Sequence, residues 1–557
     1  MMGAPQSRYN VPDGSFVKRL LPVLLFICIL LSACGETPSL WGTYSTPTAQ
    51  SPTGPTAQPN PTETAAATDT PTWTQAPTAT FTFTPTYIPL STSTAVPTPT
   101  AADANSTVLL PTFDAPTLLY YAQSGDTLPA VAARFSVSLS DVRSTSDLPQ
   151  TGLINPGTLL IIPKRITAAM TPGIQLVPDD DLVFSATSVN FDIAAYVAQA
   201  GGTLSNYREY LGTTAWTTGA EEIRRAAFEN SISPRLLLAV LEYESHWVRS
   251  QPLDALHADY PMGYQNPLDK GLFLQLEWAV NQLSTGYYGW RAGTLSTLTF
   301  ADGTSLRLDP RLNAGTVAVQ YLFAQLHSQS QWAQIINSNQ GFSAVYSAMF
   351  GDPQSQGDSG NPILPPGLTQ PTLTLPFEPH FEWSLTNGPH GAWLPPGATA
   401  AIDLAPTSDH GGCAVSPAWV VASAPGLIVR SENGVVVEDL DGDGFEQTGW
   451  DLLYLHIAAA NSVPVGTWVN RNDHIGHPAC VGGYETGTHL HFARKYNGEW
   501  IPAAGPIPMV LSGWTVHAGS QPCNDGYCPG TMTQNGQTIT ANPFGESKSV
   551  IYRDPND

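Results

Sequence analysis

Charge is the first thing this 557-residue chain is short of: Asp, Glu, Lys and Arg together make up 12% of it. Basic residues are the scarcer sign, 22 Lys and Arg against 45 Asp and Glu, for a formal net charge of −23. A nucleic-acid binder needs a basic footprint to displace counterions from phosphates, so that class of partner is excluded. Long apolar runs are missing as well. The longest, Leu20 to Leu31, is too short to cross roughly 30 Å of hydrocarbon as a helix. Cysteine is sparse, six in all, which excludes a chain stapled by disulfides along its whole length. What abounds instead is backbone punctuation, 48 Gly and 50 Pro. Low charge with heavy Pro and Gly points to an extracellular chain with at least one long unfolded spacer. At about 150 residues per domain the length leaves room for three or four domains.

The N-terminus carries an address. Lys18-Arg19 precede the apolar run, the charged-then-greasy order of a secretory signal. The run ends in Leu31-Ser32-Ala33-Cys34, which resembles the lipobox of bacterial lipoproteins. That resemblance implies a signal with its lipobox over 1–34, cleavage just before Cys34, a lipid on the Cys34 thiol and a mature chain tethered to the outer face of the cell membrane. Residues 35–116 are Thr, Pro, Ala and Ser with scattered aromatics such as Trp73, Phe81 and Phe83. Such a composition cannot bury enough apolar surface to offset ordering, and predicts an extended stalk.

Residues 117–165 read as a small α+β unit. A short strand leads into Ser124-Gly125-Asp126-Thr127, whose Asp126 or Thr127 caps a helix with Leu128, Val131, Ala132 and Phe135 on one stripe. A second short helix around Val142 and a closing strand after Pro156-Gly157 complete a βααβ order. The segment from Tyr121 to Pro163 resembles a LysM module, which implies binding to glycans such as peptidoglycan without catalysis. Ser144-Thr145-Ser146 stands where that family usually has Asn.

After a linker over 166–184, residues 185–352 predict a mostly α domain. Glu221 to Asn230, Pro234 to Tyr243 and Asn313 to Gln325 show helical apolar spacing, with Pro234 where a first turn tolerates it. The run Ile232 to Ser245, ending in Glu244-Ser245, resembles the lysozyme-like fold of lytic transglycosylases. That resemblance implies Glu244 as a general acid acting on glycan. A helical domain without catalysis is the other reading.

Residues 353–372 form a Pro/Gly linker, and 373–557 turn to short strands between Gly and Asn-Gly turns, an antiparallel β-rich pattern. In His489-Leu490-His491 the strand period puts both imidazoles on one face and Leu490 on the other. With His390, Asp403 and His456 nearby in the domain, the donors are the nitrogen and oxygen set that suits zinc, more of them than the three ligands a catalytic site needs. The motif His-Glu-x-x-His, another route to zinc, is absent. Asn387-Gly388-Pro389-His390, Tyr454-Leu455-His456 and Gly487-Thr488-His489-Leu490-His491 resemble the lysostaphin-type and β-lytic (M23) zinc endopeptidases. The resemblance implies His390, Asp403 and His491 as metal ligands, with His456 and His489 as the acid–base pair in either order. It also implies cleavage of peptidoglycan cross-links. The reading from another class is a non-catalytic wall-binding scaffold.

Cys413, Cys480, Cys523 and Cys528 read as two disulfides with three possible connectivities; Cys413–Cys480 and Cys523–Cys528 is favoured, because the second closes a small loop containing Gly526. Asp439-Leu440-Asp441-Gly442-Asp443-Gly444 begins like a calcium loop, yet its twelfth position is Trp450 rather than Glu. Asp439, Asp441 and Asp443 are the candidate calcium ligands, with a solvated hairpin turn as the alternative.

Overall fold

A computed structural model describes residues 116–336, 340–356, 362–393, 397–407, 412–483, 485, 487–524 and 526–557. The signal, Cys34 and the stalk lie outside the described residues, apart from Pro116 at the stalk's end. Among the described residues no helix is long and apolar enough to cross a membrane.

The first unit pairs β1 (Thr117–Tyr121) antiparallel with β3 (Leu159–Pro163), and β2 (Arg143–Ser144) lies on the far side of β3. Helix α1 (Leu128–Phe135) packs its expected stripe inward, with Leu128, Val131, Ala132 and Phe135 all buried. Thr127 is the cap, its hydroxyl accepting from the Ala130 amide, while Asp126 turns inward to accept from the Tyr120 hydroxyl at 2.7 Å and to pair with Arg134. The expected second helix around Val142 is not there. One 3₁₀ turn, Leu139–Asp141, closes on Ser138, and Val142 then goes extended to bury its side chain beside β3. Three residues between a cap and a buried β-branched side chain leave no room for a helix.

The middle region is helical as expected: α2 (Gly219–Asn230), α3 (Pro234–Ser245), α4 (Leu272–Arg291) and α5 (Ala314–Leu326). Thr218 caps α2, Pro234 opens α3, and Asn313 precedes α5. Its core reaches beyond 185–352. Leu176, Val177, Leu182, Val183 and Phe184 from the expected linker, and Ile363 and Leu364 from the next, are buried in the same cluster.

The C-terminal domain is built on a nine-stranded antiparallel sheet. Its strands are β4 (Glu382–His390), β5 (Ala401–Pro406), β6 (Gly426–Glu432), β7 (Val435–Asp439), β8 (Trp450–Leu455), β9 (Trp468–Val469), β10 (Leu490–Tyr496), β11 (Glu499–Trp500) and β12 (Val550–Tyr552). The order is β9-β6-β7-β8-β10-β5-β4-β12, with β11 beside β10. The alternation seen in sequence is kept: Ile402, Leu404, Leu490 and Phe492 join one core, while Ala401 and Ala493 join another on the opposite face.

One buried acid inside the sheet makes stability depend on pH. Glu438 on β7 is fully buried and accepts from the Tyr454 hydroxyl on β8 at 2.6 Å. Burial, opposed by that hydrogen bond, pushes its carboxyl up to about 8. An unfolded glutamate titrates near about 4.3. Between those two values the folded chain holds the extra proton, so stability falls as pH rises through the window. Glu438→Gln keeps the size without the ionisation, and is expected to flatten the fall in melting temperature between those two pH limits.

Candidate metal centre

Three strands bring the site together. Asp403 on β5 lies directly opposite His491 on β10, and Asn387 on β4 lies opposite Asp403 on its other side. The β4 register shifts between Leu385 and Asn387 and again before His390. Such irregularities re-aim side chains, and here His390 at the strand end reaches the same carboxylate. Gly388 is required beside it, because a Cβ there would stand 2.7 Å from the Gly530 backbone.

Ligand atoms of His390, Asp403 and His491 all lie within 4.8 Å of one another. Asp403 Oδ1 is 3.2 Å from His390 Nε2 and 3.2 Å from His491 Nδ1, and those two nitrogens are 3.0 Å apart. The far nitrogens are engaged: His390 Nδ1 donates to the Gly388 carbonyl at 2.8 Å and His491 Nε2 to the Ala392 carbonyl at 2.9 Å. With the N–H spent on those carbonyls, each ring turns a lone pair toward Asp403 Oδ1. That oxygen is buried and has no hydrogen-bond partner among the described residues. Three lone pairs facing one another repel unless a cation or proton sits among them, so the donor set fits a divalent metal such as zinc.

Electrostatics agree with the geometry. Burial alone would raise Asp403, yet the imidazoles of His390 and His489 hold its carboxyl well below the ordinary range. His491 is lowered by burial, while His390 is raised because Asp403 outweighs its burial.

Two more imidazoles complete the cluster. His489 Nε2 lies 3.7 Å from Asp403 Oδ1, and its Nδ1 donates to the Gly487 carbonyl at 2.8 Å. His456 follows β8 with a left-handed backbone, φ 69°, and its ring centroid is 4.6 Å from that of His489. Its Nδ1 donates to the Val481 carbonyl at 2.7 Å. Burial, reinforced by His489 and His491, pushes His456 down to about 3.

Both disulfides have the favoured connectivity, and both support this cluster. Cys413–Cys480 joins segments 67 residues apart, and Ala479 beside it bridges to His489. The loop closed by Cys523–Cys528 grips Asn387: the Gly526 carbonyl accepts from its amide at 3.1 Å and the Cys528 amide donates to its oxygen at 2.7 Å. The same Asn387 amide donates to Asp403 Oδ2 at 3.1 Å, so the carboxylate is held from behind while Oδ1 faces the histidines. The motif containing Asn387 stood out in the sequence, but its role did not. Nothing local marks an asparagine as the partner of a carboxylate 16 residues on.

The remaining sequence candidates sit elsewhere. Glu244 ends α3, nearly buried, with Oε1 3.0 Å from His327 Nε2. Asp439, Asp441 and Asp443 do converge, within 4.8 Å of one another, at the turn after β7.

A buried two-histidine, one-aspartate cluster on an antiparallel sheet defines the class: a candidate metal-dependent hydrolase. The comparisons with known proteins are particular. Residues 175–363 match the family described as the LasA N-terminal domain, over the helical region for which the sequence suggested a lysozyme-like likeness. Protease LasA of Pseudomonas aeruginosa is 24% identical over 356 residues, 60% of this chain and 77% of that protein. The β-lytic metalloendopeptidase of Lysobacter enzymogenes is 27% identical over 170 residues, 30% of this chain and 90% of that protein. The solved structure of pseudoalterin, an M23 metalloprotease from the deep sea, aligns at 20% identity with a TM-score of 0.25, covering 31% of this chain and 96% of that one. The curated relatives are a protease and a metalloendopeptidase, and they support a peptidase as the class of this chain.

Proposed function

We propose that this chain is a zinc endopeptidase that hydrolyses peptide cross-links of peptidoglycan outside the cell membrane. The observation that carries the reading is the unpartnered Asp403 Oδ1 between two imidazole lone pairs. His390, Asp403 and His491 would hold the ion, which supplies an activated water and polarises the scissile carbonyl when bound. His456 and His489 stand beside that set as neighbouring imidazoles. One of the two would accept the water's proton and return it to the leaving amine while the other hydrogen-bonds the developing oxyanion, in either order.

Attachment to the wall is the second part of the reading. The LysM-like unit has an open pocket of about 750 Å³ lined by residues including Leu139, Ser140, Arg143, Ser144, Asp147 and Gln150. Hydroxyls, an amide and charges of both signs suit hydrogen bonding to glycan. Lipid on Cys34 and the stalk would tether the enzyme and set its reach. The test is to incubate the full chain with zinc and purified peptidoglycan and to map new amino termini by mass spectrometry. Stem-peptide amines freed by the wild type support the reading; intact cross-links would leave a wall-binding scaffold. Anhydro-sugar products would instead mark Glu244 as catalytic.

The asparagine behind the carboxylate gives a graded check. Asn387→Ala is expected to lower zinc affinity about 10- to 100-fold, the loss typical of an outer-shell partner. Competition against a zinc-binding dye measures it.

A further inference from the structure

The sheet carries a second group of carboxylates, at the opposite end of β8 from His456. Oxygens of Asp439, Asp441 and Asp443 lie within 4.8 Å of one another. Oxygens sharing one calcium ion, each about 2.3–2.6 Å from it, span similar distances. An acidic turn is ordinary, and these three carboxylates also accept from amides of their own loop. Asp451 sets this one apart.

Asp451 lies directly opposite Asp439 in the β7–β8 register and therefore on the same face. Its carboxylate is fully buried, and neither oxygen has a hydrogen-bond partner among the described residues. Besides burial, its charge is acted on by Lys495 first, then by Glu446, Asp439 and Asp441. The cation nearest in register is Lys495, opposite on β10, but that ammonium donates to Glu446 at 2.6 Å. Arg430 pairs with Glu446 too. Asp439, Asp441, Asp443, Glu446 and Asp451 thus meet only Arg430 and Lys495 as cations among these partners. An uncompensated buried carboxylate takes up either a proton or a cation.

We propose that this turn binds one calcium ion through Asp439, Asp441 and Asp443, with Asp451 contributing the buried negative charge that a calcium loop draws from its twelfth-position glutamate. Oxygen-only donors select a hard divalent cation over zinc. The ion would clamp the start of β8, the strand that ends at His456. It is a separate site from the histidine cluster.

Terbium luminescence tests this on the full chain stripped of metal. The Trp468 ring lies against Gly442, and Trp450 opens β8, so both indoles can sensitise a lanthanide in the turn. Tryptophan-excited emission is expected to saturate at one terbium per chain, to be displaced by calcium and not by zinc, and to persist in His491→Ala. Asp441→Asn and Asp451→Asn should each weaken calcium at least about tenfold, the least that an outer-shell change typically costs a metal. Should Asp451→Asn fail to fold, the exposed Asp441→Asn and Asp443→Asn variants decide alone. Emission unchanged in both of those, or no displacement by calcium at about 10⁻³ M, the weak end of protein calcium sites, would overturn the proposal.

Discussion

His491→Ala is expected to lose metal binding and peptide hydrolysis together, with turnover falling by more than about 100-fold. Its Nδ1 is one of the three atoms that face one another, and no other donor among the described residues takes its place at 3.2 Å from Asp403 Oδ1. The substitution also frees the Ala392 carbonyl, an orphaned acceptor that costs on the order of 1–3 kcal/mol. Activity loss must therefore be read beside a melting curve. The contrast with the neighbouring imidazoles makes the test specific. His456→Ala and His489→Ala should keep zinc while losing turnover by about 10²- to 10⁴-fold, the usual worth of a positioned acid or base. If all three variants lose zinc equally, the division between ligands and acid–base groups fails.

The largest effect on stability is expected at Arg291, far from the chemistry. Its guanidinium lies 3.1 Å from both Asp179 and Glu499 and 2.8 Å from the Tyr287 hydroxyl. Asp179 comes from the segment before the helical region, Glu499 from the C-terminal domain, and the arginine itself ends α4. Gly125 of the first unit, at φ 80°, is packed so closely that a side chain there would collide with the guanidinium. One cation thus joins three parts of the chain. Arg291→Ala leaves the buried Glu499 and the half-buried Asp179 without their shared cation, at a cost of about 3–5 kcal/mol. The expected readout is a lower first unfolding transition and faster proteolysis between helical and β regions. Adding Glu499→Gln should recover part of the loss, because one of the stranded charges is then gone.

Local chemistry made much of this fold legible. Glu221, Pro234 and Asn313 marked helix starts that the structure has within a residue or two. The period of two in His489-Leu490-His491 placed both imidazoles toward Asp403 and Leu490 in the core. The convergence of His390, Asp403 and His491 came from motif resemblance, since positions up to 101 residues apart carry no mutual signal. Asn387 and Arg291 stayed hidden for the same reason. Their roles depend on partners 16 to 208 residues away, and each looks like an ordinary polar residue in its own neighbourhood. The apolar residues between Leu176 and Phe184, interrupted by Asp179, Asp180 and Asp181, were too few to separate a linker from a packed segment. Only the helices they lie against decide that.

Diffraction from full-chain crystals grown with zinc, using anomalous scattering at the zinc edge, decides whether the ion sits among His390, Asp403 and His491. One strong peak is expected in the C-terminal domain, within bonding distance of His390 Nε2, His491 Nδ1 and the Asp403 carboxylate, with solvent in the open position. A peak bound elsewhere, or none at this cluster with the side chains well ordered, would contradict that placement.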